Sequence, residues 1–212
     1  MNTGQHTGQP TGQHTGRPTV RFELNHSGPA QGRLRRRPTH TWAGTVPGYG
    51  PVELVCPAEE DLLRETVTAW VSGHGIPPMS FTGIEFRDLP RMAMMTLTAD
   101  AWTGKLTRRH LAVTARGRAL RIAVAERSYR YQALGSKLRH ELRREGAVVT
   151  MSRSAWRYPG TISGAGQGGF DGLDIGLAIL LEGVYTRNLS LSGALYSWPG
   201  RFLSRLDDIP DL

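Results

Sequence analysis

The chain has 212 residues, enough for one ordinary domain and a tail, and 39% of them are apolar, so a packed core is within reach. Lysine and arginine total 26 against 18 acids, a net charge of +8. The single cysteine, Cys56, excludes internal disulfides, multi-cysteine zinc fingers and iron–sulfur clusters.

Residues 1–19 are a degenerate Thr/Gly/Gln/His/Pro repeat with nothing to bury and no apolar core of an export signal. A basic cluster follows, Arg33, Arg35, Arg36 and Arg37. Residues 1–40 thus hold six arginines, these four with Arg17 and Arg21, against the single Glu23, a net of +5. This stretch is expected to be a disordered basic arm. Residues 41–212, with the remaining 20 basic and 17 acidic side chains, are expected to form a single domain of net +3.

Within that domain Pro57 and the acids Glu59, Glu60 and Asp61 read as a helix start, with Leu63, Val67, Trp70 and Val71 on one face and Gly73 ending it. Residues 79–126 read as about four short strands. The clearest part is a hairpin of 111–115 and 119–126 around a turn at 116–118, with Leu120, Ile122 and Val124 alternating with Arg121, Ala123 and Ala125. A second helix is expected over 128–145, because Tyr131, Leu134, Leu138 and Leu142 fall in one stripe at 100° per residue, with Gly146 stopping it. Residues 147–152 resemble a return strand, and 153–170, rich in Gly and Ser, read as a loop. Asp171 can then cap a helix from Gly172 to about Tyr185, apolar around most of its circumference. Strands clustered between helices predict an α+β fold: one compact domain with a mostly antiparallel sheet and two to three helices behind the arm. The longest apolar run, 175–181, is far below the ~20 residues a membrane helix needs. The expected setting is a reducing intracellular compartment such as the cytoplasm, with no membrane partner and no secretion.

Motifs of known chemistry are weak. Gly164, Gly166 and Gly169 satisfy G-x-G-x-x-G, but the expected strand ends a dozen residues too early and no acid stands near residue 189, so a nucleotide site is disfavoured. Asp171 and Asp174 share a helix face, with Glu182 further along, and acids in a first turn are favoured by the helix dipole without any catalytic role. His74, His110 and His140 lack the spacing of a helix-borne zinc site. Cys56 is read as a buried thiol in preference to a nucleophile. No catalytic residue, metal ligand or cofactor is expected.

Charge is the positive signal. Lys105, Arg108, Arg109, Arg116 and Arg118 flank the expected hairpin, while Arg130, Lys137, His140, Arg143 and Arg144 lie along the expected second helix. Guanidinium groups bind phosphate by charge and in bidentate fashion, independently of base sequence. The expected function is therefore non-enzymatic binding or packaging of DNA or RNA by the arm and the basic helix face, with homo-oligomerisation possible. An arginine-bearing arm ahead of a compact domain is similar in layout to packaging proteins such as small RNA-virus coats. Two alternatives stand beside it: a small enzyme with an acidic or histidine site near the glycine-rich 164–172, and a coat-like structural subunit with Trp42, Trp102, Trp156 and Trp198 as interface anchors.

Overall fold

The computed structural model describes residues 19–29, 39–57, 67–83, 95–108, 114, 117, 119–156 and 159–184. They form a closed antiparallel barrel of twelve strands with one helix in its lumen. The strands are β1 (Thr19–Pro29), β2 (Thr39–Val46), β3 (Gly50–Pro57), β4 (Val67–Gly73), β5 (Ile76–Gly83), β6 (Thr96–Ala99), β7 (Trp102–Thr107), β8 (Leu120–Val124), β9 (Arg127–Ala133), β10 (Arg139–Arg144), β11 (Ala147–Arg153) and β12 (Thr161–Gly168). Each pairs with its neighbours in sequence, and β1 closes on β12. The helix, α1, spans Gly172–Val184.

The α+β expectation is overturned. Residues 128–145, read as a helix, are the hairpin β9–β10, with Leu142 opposite Tyr131 and Arg143 opposite Arg130. The apolar spacing of this stretch fits both periods. It becomes a hairpin because Tyr129, Tyr131, His140 and Leu142 all point into the barrel at every second position. Val67, Trp70 and Val71, expected on the first helix, lie on β4; residues 58–66 are outside the described part. The glycine-rich stretch expected as a loop is strand β12. Its glycines admit rings: a Cβ on Gly164 would overlap Phe22, and one on Gly166 would sit 3.1 Å from the Phe170 ring. The first strand also begins at Thr19, inside the stretch expected to be arm. Strand β8, the return strand and the Asp171-capped helix lie close to where the sequence placed them, but β8 pairs with β7, and the strand expected at 111–115 falls, apart from residue 114, outside the described residues.

A closed barrel has no free edge to template aggregation. Eight strands already leave just enough width for side chains to fill, so twelve enclose a wider lumen. A helix ~10–12 Å across fills it. Residues 175–182 are fully enclosed, and α1 packs on β3, β4 and β5 on one side and β10 and β11 on the other. Two faces of α1 meet these two walls. Gly172, Gly176 and Gly183 share one face, where a Cβ would overlap the Gly75 carbonyl, stand 2.6 Å from Met79 and stand 2.7 Å from the Cys56 sulfur. About 200° around the helix lie Asp174, Ala178 and Glu182, at i, i+4 and i+8, facing the strands that carry cations.

Candidate anion-binding face

The acids at the cap and within α1 are already paired. Asp171 and Asp174 cap the helix reciprocally, each accepting from the other's backbone N–H, at 3.2 and 2.9 Å. Arg127 reaches Asp171 from β9, and Arg144 reaches Asp174 from β10 at 2.7–2.8 Å. Tyr129 Oη donates to Asp174 at 3.0 Å, and burial with the adjacent carboxylate pushes its phenol up to about 12. Burial by itself would raise Asp171, but the Arg127 hydrogen bond and the helix-end N–H outweigh it and hold the carboxyl low.

At the other end of α1, Glu182 is completely buried. It accepts from Tyr131 Oη at 2.7 Å, meets His140 Nδ1 at 2.9 Å and lies 3.3 Å from Arg153 Nε. Burial would raise its pKa, yet His140, Arg153 and Tyr131 together hold it below the ordinary glutamate value. The same burial, with the Glu182 charge, pushes Tyr131 well upward. Both clusters fasten the helix to the barrel wall. Their oxygens are occupied by structural partners. Among the described residues no group of three or more His, Cys, Asp and Glu side chains could hold a metal ion.

Outside the barrel the cations assemble differently. Arg121 on β8, Arg130 on β9 and Arg143 on β10 are direct partners in register, and all three are on the outward face. With Lys105 on β7 they line a groove of about 590 Å³; Arg144, turned inward onto Asp174, borders it, and the groove's one acid among the described residues is Glu145. Arg143 is held by Glu141 at 3.0 Å. Among the described residues, Lys105, Arg121 and Arg130 have no carboxylate partner. Neighbouring strands are ~4.8 Å apart, so the Cα atoms of the three arginines stand in a row ~10 Å long across them.

Three of the expected phosphate-binding residues, Lys105, Arg130 and Arg143, thus share one groove, while Arg144 borders it with its guanidinium turned inward onto Asp174. Arg108 lies at the end of β7 and is not among the groove's lining residues. Lys137 sits in the β9–β10 turn with its ammonium 4.4 Å from the centre of the Trp156 ring, away from the groove. His140 needs correction: expected on a solvated polar face, it is fully buried in the lumen against Glu182, because the strand period turns it inward. Arg33, Arg35, Arg36, Arg37, Arg109, Arg116 and Arg118, with His110, lie outside the described residues.

Arg121 was missed as a site residue, although its alternation with Leu120 and Ile122 already placed it outward. Cys56 is buried beside Gly183. None of the protein-family models, curated proteins or solved structures compared with this chain matches it. On β8 to β10 the outer face carries Arg121, Arg130 and Arg143, whereas a transmembrane barrel turns an apolar band outward. Among the described residues no helix is long and apolar enough to cross a membrane.

Proposed function

We propose that the protein binds a phosphate-bearing polyanion, nucleic acid in particular, on the outer face of β7 to β10. The observation that carries this is the register row Arg121–Arg130–Arg143, two of whose members have no acidic partner among the described residues. Three fixed cations a strand apart are costly to hold together without an anion, since like charges on neighbouring strands repel. Phosphate oxygens accept bidentate hydrogen bonds from guanidinium, so the row offers charge and geometry together. Among the described residues the groove presents no free aromatic platform, because the one ring lining it, Tyr129, is buried with its hydroxyl on Asp174. Recognition then rests on the backbone and is indifferent to base sequence.

The test is the salt dependence of binding, measured by fluorescence anisotropy. Arg121→Glu with Arg130→Glu removes two phosphate contacts and should flatten the slope of log K against log salt by roughly 1.4 for a single strand. Both side chains point outward, so the melting temperature serves as a folding control. An unchanged affinity and slope in the folded variant would refute the proposal.

A further inference from the structure

The arginine row does not end at β10. Arg143 is the register partner of Val148 on β11, Val148 of Gln167 on β12, and Gln167 of Thr19 on β1. At the other end Arg121 faces Thr107 on β7. One outward row therefore crosses seven adjacent strands, each of its side chains at least partly exposed. A second concavity of about 490 Å³ covers its far half, lined by Val148, Gln167, Gly168 and Thr19, and it shares Arg143 and Arg144 with the first groove. The two concavities meet at the β10–β11 hairpin. Beyond Thr19 the chain continues through residue 18 to Arg17, so the next cation is only two residues further along the backbone.

From this geometry we infer that the ligand is single-stranded nucleic acid, laid across the strands along the whole row from β7 to β1. The inference rests on the polyanion reading above and adds the class of nucleic acid and the path. Six inter-strand steps of ~4.8 Å make a track of about 29 Å. Twelve strands tilted by ~40° give a barrel radius of roughly 12 Å, so a path at right angles to the strands turns by about 100° over that length. A duplex, whose persistence length is ~500 Å, cannot follow such a curve without severe bending and would touch only a short part of it. A single strand bends freely. At the ~3.4 Å stacked spacing the track holds roughly nine nucleotides, fewer if the strand is extended, which lies within the ~4–16 nucleotides that single-strand binding folds cover. The first half of the row is cationic and grips phosphates. The second half, with Val148 half-buried between polar neighbours, offers an apolar step for sugar or base.

The experiment uses the full chain with fluorescein-labelled oligothymidylates of 4, 8, 12 and 20 nucleotides and a 20-base-pair duplex at one salt concentration. The expected result has three parts. Affinity rises steeply between 4 and about 9 nucleotides, and the 20-mer strand binds at least tenfold tighter than the duplex. Val148→Glu with Gln167→Glu weakens the 12-mer at least tenfold and leaves the 4-mer unchanged. Gln167→Glu alone, at an exposed position, gives the same pattern in smaller degree and guards against a folding defect. A duplex that binds as tightly as the strand, or a 12-mer indifferent to both second-half variants, overturns the wrapped track. If Arg121→Glu/Arg130→Glu still weakens binding in that case, the polyanion reading survives. Failure of every oligonucleotide to bind, or indifference to the arginine pair, overturns both.

Discussion

Replacing Glu182 with Gln should destabilise the barrel far more than its near-identical shape suggests. The carboxylate lies in the lumen, with the Arg153 side chain 3% exposed and His140 fully enclosed. Glutamine preserves volume and can still accept from Tyr131, but it removes the buried negative charge that the Arg153 guanidinium and the His140 ring both meet. Removing one partner of a buried ion pair typically costs about 3–5 kcal/mol. For a domain of this size each kcal/mol moves the midpoint by ~2–4 °C, so thermal unfolding followed by circular dichroism should drop by roughly 6–20 °C. Tyr131→Phe is the companion variant. It deletes one hydrogen bond to a charged acceptor, worth about 1.5–3 kcal/mol, and should cost less in the Glu182→Gln background than alone, since the two side chains act on the same oxygen. A Glu182→Gln protein melting within about 2 °C of the parent would refute the view that this ion cluster holds the helix in its barrel.

Acid should act through the same carboxylates. Glu182 and Asp171 both titrate below their ordinary values in the folded state, so their contribution is present above the unfolded pKa and is lost as pH falls through the folded one. Stability measured by urea titration should therefore be flat near neutrality and decline from about pH 4.5 downward; a decline beginning above pH 6 would point to other groups. Gly172→Ala places a methyl on the Gly75 carbonyl, a backbone atom that cannot swing away, and should lower stability by about 1–3 kcal/mol. Gly48→Ala is the contrasting case: nothing lies within 4 Å of its Cβ, so the cost is confined to the left-handed backbone at φ 82°, roughly 1 kcal/mol. Equal losses at the two positions would contradict the close seating of the helix.

Local chemistry was enough to locate the capped helix at Asp171, because a capping acid followed by an unbroken apolar run has one compatible structure and depends on no distant residue. The alternation of Leu120, Ile122 and Val124 likewise marked β8 and turned Arg121 outward. The β9–β10 hairpin could not be read this way. Its inward positions include His140 and Arg144, which break the apolar alternation of a strand, while the tyrosine and leucine spacing of the same stretch satisfies a helix. Those polar side chains belong inside only because Glu182 and Asp174 stand opposite them on a helix some thirty to forty residues later. Barrel closure is equally non-local: β1 meets β12 across most of the chain, and only that pairing joins the arginines of β8 to β10 to Gln167 and Thr19 in one row. Side-chain period and capping are properties of a few consecutive residues. The partner of a buried charge, and the neighbour of an exposed one, are set by the circuit of the strands.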